Sequence, residues 1–261
     1  MARGRQCDCC VPTPLFPPEF RALCGVPVIV QPSIVGLRRA GLLAGFSDLR
    51  LEELAHQFVW TRVTAGQNII THEAADRDVH VIVGGRARVM VTTSSGRQIS
   101  YKELGAGSAV GVLAAIDGVA RSADVLALED TLIASMNPAL FHQLLRESPA
   151  AADWTRKALV AMVRELSDRV FEVSALGVQN RVHAEVLRLA REAGVAGNRA
   201  TIDPAPTHAD LAARVSTYRE QATREISAMV KQGLLERAGH ALVVPDVERL
   251  ENIVAEVRRV A

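Results

Sequence analysis

The stretch THADLAARVSTYREQATREISAMVKQGLLER, from Thr207 to Arg237, decides how this chain is read. It divides into two short amphipathic helices with a tight break between them. Thr207 is placed to cap a first helix whose apolar face is Leu211 and Ala212. Val215 and Ser216 form the break, and Thr217 is placed to cap the second helix. That helix sets Ala222, Ile226, Met229 and Val230 on one side, with Arg219, Glu220, Thr223 and Arg224 on the other. Gly233 stops it, in the position where a left-handed residue usually sits. This is the layout of a helix-turn-helix, whose second helix lays its N-terminal polar residues against base edges in the major groove. Arginine donates two bonds to guanine O6 and N7, and glutamate accepts from cytosine N4. Arg219, Glu220 and Arg224 are therefore candidate base readers. Thr223 is a candidate for a thymine methyl or a phosphate, and Thr217 belongs to the same surface. Lys231, Arg237 and the backbone at Thr207 and Ser216 are candidate phosphate contacts. The competing reading is a solvated helix face with Glu220 and Arg224 as an i,i+4 pair. The glycine and the hairpin pattern that follow favour DNA reading.

Composition limits the alternatives. A chain of 261 residues holds one to two domains, and 49% hydrophobic with 23% charged residues is the make-up of an ordinary globular protein. The net charge of +1 excludes histone-like coating of nucleic acid and leaves room for a locally basic reading surface. No apolar run is long enough to span a bilayer, so no membrane partner is expected. Arg3 and Arg5 precede Pro12, Pro14, Pro17 and Pro18, which break any signal-like apolar segment. A cytoplasmic location follows by elimination.

In chain order, residues 1–34 read as a Cys/Pro-rich extension, poorly ordered or packed loosely on the body. Residues 35–148 form an effector domain. It opens with a helical pattern from Val35 to Phe58, with Ser47 as a cap. From Trp60 to Met136 short alternating runs with glycine turns predict a sandwich or a β-roll. A short helix spans 138–146, and a long helix fills 149–177. In the long helix Leu159, Val163, Leu166, Val170 and Val173 alternate steps of four and three, the stripe of a helix that pairs with its own copy. Packing of that stripe on the β domain is the competing reading. Residues 178–261 hold a helix from Asn180 to Ala193, a loop, the helix-turn-helix, a hairpin wing in LLERAGHALVVPD, and a last helix from Val247 to Val260.

Residues 111–125 read GVLAAIDGVARSADV. Glycines that allow close backbone approach, one helical turn at LAAI, and then Arg121-Ser122 together make a phosphate cradle. The alternative for Arg121 is a structural ion pair with, for instance, Glu103 or Asp124. The order of capped helix, β domain with a G-x-x-A-A-x-x-G-x-x-R-S cassette, long helix and winged helix-turn-helix ending R-E-x-x-T-R resembles the catabolite-activator/FNR superfamily of transcription factors. The resemblance covers nearly the whole chain from Val35. It implies an α+β fold: a cyclic-nucleotide-binding-type β-roll, a dimerisation helix and a winged helix-turn-helix. It also implies a homodimer on a palindromic double-stranded DNA operator, with RNA polymerase as a further partner and no enzymatic activity.

On this resemblance Gly111 matches the first glycine of the cassette, with Val112 and Leu113 following. Arg121 matches the cyclic-phosphate arginine and Ser122 its neighbouring hydroxyl. An ungapped count along the long helix places Leu166 and Ser167 where cyclic-AMP-responsive members set two hydroxyls against the purine. The position after Gly111 is usually a glutamate that accepts from the ribose 2′-hydroxyl. Here it is Val112, which cannot accept, and an unpaired buried hydroxyl costs about 1–3 kcal/mol. An unmodified cyclic AMP site is therefore disfavoured, while cyclic GMP, cyclic di-GMP, another small molecule or no ligand stay open. The resemblance does not say whether the protein activates or represses.

All four cysteines, Cys7, Cys9, Cys10 and Cys24, fall in the extension. A disulfide framework would spread cysteines through the fold. Thiols so close together are a zinc or iron–sulfur ligand set in principle, and the alternative functional reading is a redox or metal-sensing regulator with a vestigial pocket. The adjacent Cys9 and Cys10, and the single residue between Cys7 and Cys9, make joint ligation awkward, so no metal is assigned. The seven histidines are scattered, and no catalytic constellation emerges.

Overall fold

A computed structural model describes residues 33–93 and 98–260. The cysteine cluster and the Ser94-Ser95-Gly96 turn lie outside the described residues. The N-terminal helical pattern resolves into α1 (Ile34–Leu37), a 3₁₀ turn (Gly41–Leu43) and α2 (Asp48–Gln57). Ser47 caps α2 by accepting from the Arg50 N–H, as expected.

Eight strands follow: β1 (Val59–Val63), β2 (Asn68–Ile70), β3 (Val79–Gly84), β4 (Arg86–Thr92), β5 (Gln98–Gly105), β6 (Ala109–Val110), β7 (Asp124–Ala127) and β8 (Thr131–Met136). They form two four-stranded antiparallel sheets, ordered β1-β8-β3-β6 and β2-β7-β4-β5. This is the β-roll. Strand β3 is buried from Val79 to Val83, His80 included, because both of its faces are covered. Leu37, Leu42, Leu43, Leu54 and Phe58 pack on one side with Phe141 and Leu144 of α4 (Pro138–Glu147), while Ile82 joins Ile70, Ala87 and Val125 on the other. A single turn of helix, α3 (Val112–Asp117), interrupts the roll at the cassette.

Helix α5 (Pro149–Ala175) is 27 residues long, capped by Ser148. Its first turns pack apolar side chains on the roll through Ala151 and Trp154, and farther along Glu165 and Arg169 make polar contacts with Lys102 and the Ser100 carbonyl of β5. Beyond them Val160, Met162, Val163, Leu166, Val170 and Val173 stand exposed. The competing reading, in which the stripe covers the β domain, does not hold within one chain.

The C-terminal part has its own core. It is built from α6 (Val178–Ala193), α7 (His208–Arg214), α8 (Arg219–Lys231) and α9 (Val247–Val260) with a third four-stranded sheet. That sheet is ordered β11-β12-β10-β9, where β9 is Val195–Ala196, β10 Arg199–Ile202, β11 Glu236–Ala238 and β12 Ala241–Val244. The hairpin wing is present. The preceding segment, expected to be a loop, is instead a second hairpin: Gly197 and Asn198 both take positive φ, and β10 pairs with β12.

Candidate nucleic-acid interface and β-roll cassette

The two helices of the motif form as read. Thr207 Oγ1 accepts from the Asp210 N–H at 3.1 Å and donates to the Asp210 carboxylate at 2.8 Å. The break turns at Ser216, whose φ of 54° is left-handed, so the chain reverses within a few residues. Gly233 closes α8 with φ 69°. Leu211, Ala212, Ala222, Ile226 and Met229 are buried between the helices and the wing. Arg219, Glu220, Arg224 and Lys231 are exposed on the outer face of α8.

One expectation is corrected: Thr217 does not cap α8. The cap residue is Tyr218, without a side-chain cap bond, while Thr217 is buried and donates to Gln221 Oε1 at 2.7 Å. Its hydroxyl belongs to the packing of the break. Thr223 is half-buried, with its hydroxyl donating to the Arg219 carbonyl at 2.8 Å and lying 2.8 Å from His208 Nδ1. Its polar group is therefore committed within the motif. Burial, followed by the positive charges of Arg237 and Arg219, lowers the His208 pKa.

The inner face of α7 meets the β-roll, which the sequence did not foretell. Arg88 of β4 donates to Asp210 at 2.5 Å and to Glu103 of β5 at 2.7 Å. Arg214 of α7 donates to the same Glu103 oxygen at 2.6 Å and to Glu185 of α6 at 3.2 Å. Glu185 also pairs with Arg188, which reaches Glu172 of α5. Burial pushes the Glu103 carboxyl up, but Arg88 and Arg214 outweigh it and hold the group below its usual range. Asp210 is lowered in the same way: burial raises it, and the Thr207 hydroxyl and Arg88 overcome that. These two half-buried acids, Glu103 and Asp210, stay ionised at neutral pH because each has an arginine partner.

At the cassette, Gly111 has φ 85° and opens α3. A Cβ there would sit 2.5 Å from both Arg121 Nη1 and the Asp78 carbonyl, so the arginine lies against bare backbone. Arg121 is buried, as a cradle residue should be, but it is not waiting for a partner. Its Nε donates to Asp76 Oδ2 at 3.1 Å, its Nη2 to the same oxygen and to the Asp78 carbonyl at 2.8 Å, and its Nη1 to the Gly111 carbonyl at 3.2 Å. The ion pair is with Asp76, not with Glu103, which serves Arg88 and Arg214, nor with Asp124, which accepts the His72 N–H.

The other cassette residues give little to a nucleotide. Val112 packs on the helical core of the roll, Leu113 is half-buried, and Ser122 is exposed. Ser167 is exposed on α5, and its hydroxyl donates to the Val163 carbonyl at 2.9 Å. Beside the cassette, His80 of β3 is buried with Nδ1 2.8 Å from Ser135 Oγ and with no partner for Nε2 among the described residues. Burial and the Arg121 charge lower its pKa to about 4.

Two family models match the chain: a cyclic nucleotide-binding domain over residues 60–148 and a Crp-like helix-turn-helix domain over residues 180–253. Among curated proteins, the "Cyclic AMP receptor protein" of Thermus thermophilus is 26% identical over 175 residues, covering 67% of this chain and 78% of that one. The "Lysophospholipase nte1" of Aspergillus terreus is 30% identical over 111 residues, and this chain spans only 7% of its length. Among solved structures, a CooA mutant from Carboxydothermus hydrogenoformans superposes with a TM-score of 0.69 at 18% identity, covering 77% of this chain and 90% of that one. That likeness is one of fold.

Proposed function

This chain belongs to the CRP/FNR superfamily of transcriptional regulators, and we propose that it acts as a homodimer reading a palindromic operator with Arg219, Glu220 and Arg224. The observation that carries this reading is the face of α8. It follows a left-handed turn at Ser216, buries Ala222, Ile226 and Met229, and leaves two arginines and a glutamate exposed at its N-terminal end. Those side chains supply the donors for guanine and the acceptor for cytosine. Thr207, Ser216 and Lys231 lie around them as backbone-positioning contacts.

The exposed stripe of α5 supports the dimer. A helix that leaves its own core after two turns and keeps valines, a leucine and a methionine in water has its partner in a second copy. Two-fold pairing would set the half-site spacing. Control is read as coming from the β-roll, by a shift between two arrangements of the reading heads.

The test selects a binding sequence from a random duplex pool with the full chain and measures affinity by fluorescence anisotropy. Arg219→Ala should weaken the selected site by about 5- to 150-fold, the equivalent of one lost bidentate base contact. It should change non-specific binding far less. Unchanged affinity for the selected site would remove Arg219 from the reading surface.

A further inference from the structure

We propose that Asp76 fills the phosphate seat of the β-roll from within the chain, so that a cyclic nucleotide can enter only by displacing it. The inference rests on reading this β-roll as an effector domain. Its starting point is the geometry of Arg121. One Asp76 oxygen takes both the Nε and the Nη2 donors, the edge of the guanidinium with which an arginine grips an anion. The remaining contacts go to the Asp78 and Gly111 carbonyls. Every nitrogen of the guanidinium therefore has an acceptor from the protein, and the charge of the seat is already neutralised.

Position argues that this carboxylate is a gate rather than a passing surface contact. The Arg121 side chain is 2% exposed and that of Asp76 is 52% exposed, so the acid lies between the arginine and solvent. The segment that carries Asp76 is strapped to the cassette just before the acid, and the Asp78 carbonyl holds it to Arg121 just after. The Glu73 N–H donates to the Arg121 carbonyl at 3.0 Å, the Arg121 N–H to the Ala74 carbonyl at 3.2 Å, and the His72 N–H to Asp124 Oδ1 at 2.9 Å. Glu73 takes φ 62° to make this turn. The hydrogen bond from Arg121 holds the Asp76 carboxyl below its usual range, so it is ionised at neutral pH and opposes a second anion in the seat.

A ligand phosphate must compete with a carboxylate tethered at the site. If the displaced form is populated at about 1–10%, apparent affinity falls by about 10- to 100-fold. Val112 provides no ribose acceptor to offset this.

The experiment titrates cyclic AMP and cyclic GMP into the full-length protein by isothermal calorimetry, comparing the unsubstituted chain with Asp76→Ala and Asp76→Asn. The asparagine variant keeps the shape and removes the charge, and circular dichroism checks that both fold. At least one nucleotide should bind an Asp76 variant about tenfold or more tightly than the unsubstituted chain. Adding Arg121→Ala should abolish the gain. Equal affinity for the unsubstituted and Asp76-substituted chains would overturn the proposal. So would folded Asp76 variants that bind neither nucleotide, or a gain that survives loss of Arg121. Operator binding by the same preparations is measured alongside, so that failure of the gate is told apart from failure of the DNA-reading function.

Discussion

The contact between β4 and α7 can be measured as a coupling energy. Arg88 and Asp210 meet at 2.5 Å with side chains 16% and 27% exposed. A hydrogen bond between charged groups contributes about 1.5–3 kcal/mol when shielded from water. Partial exposure and screening reduce it, so we expect a coupling of about 1–2 kcal/mol. Each single substitution costs more than the coupling. Arg88→Ala also leaves Glu103 with Arg214 alone, and Asp210→Ala also removes the acceptor of the Thr207 hydroxyl. The double-mutant cycle cancels those private losses and isolates the pair. The four proteins would be unfolded in urea at one fixed concentration, because a dimer's stability depends on concentration. Raising the salt to about 1 M should shrink the coupling, since both groups are partly solvated. If the two substitutions are additive within about 0.5 kcal/mol, the reading head is not held to the β-roll through this pair.

Two further outcomes follow. Val163→Glu together with Leu166→Glu places charges in the exposed stripe of α5, and light scattering should show a monomer with its operator affinity lost; a dimer of unchanged affinity would refute the seam. His80 is held near pKa 4 in the folded protein and returns to 6.5 on unfolding, so its contribution is complete above pH 6.5 and is lost as pH falls toward 4. Between about pH 7 and about pH 4.5 this amounts to about 2–3 kcal/mol of unfolding free energy, and His80→Gln should flatten that part of the profile. An identical pH slope in both proteins would remove His80 from the account.

What the sequence disclosed divides by range. Local signals were legible: the Thr207 and Ser47 caps, the break at Val215 and Ser216 and the stop at Gly233 all depend on residues within a turn of one another. The apolar stripe of α5 was legible for the same reason. Thr217 was misread because a threonine before a helix reads as a cap in sequence, whereas here the chain turns one residue later and buries it. The β9–β10 hairpin was missed because its strands are only two and four residues long and gain their partner from β12, more than thirty residues further on. Arg121 was found, but its partner was not. Asp76 stands 45 positions away on another loop, and nothing in the pattern of residues 111–125 points to it. Arg88–Asp210 and Arg214–Glu103 span 122 and 111 positions, beyond any local signal.

These long-range pairs bear on how a β-roll could move a reading head. Two routes leave the roll. One is covalent, along α5 and through Leu176 into α6, where Arg181 donates to the Leu176 carbonyl at 2.8 Å and to the Val215 carbonyl at 2.9 Å. This arginine ties the end of the dimer helix to the break of the helix-turn-helix. The other route is through space and centres on β5. Its Glu103 binds Arg214 of α7, its Lys102 meets Glu165 of α5 at 2.6 Å, and its Ser100 carbonyl accepts from Arg169 of α5 at 2.6 Å. Strand β5 therefore touches both the helix that sets the dimer and the helix that carries the motif. A shift of the β4–β5 hairpin carries both helices while these contacts hold, and changes the angle between α5 and α7 when one set gives way. Because exposed pairs such as Lys102–Glu165 are weak and the shielded Arg214 pairs are strong, α7 should follow the hairpin more closely than α5 does. If the β-roll controls DNA reading as proposed, this geometry would steer α7 from β5 more directly than along α5.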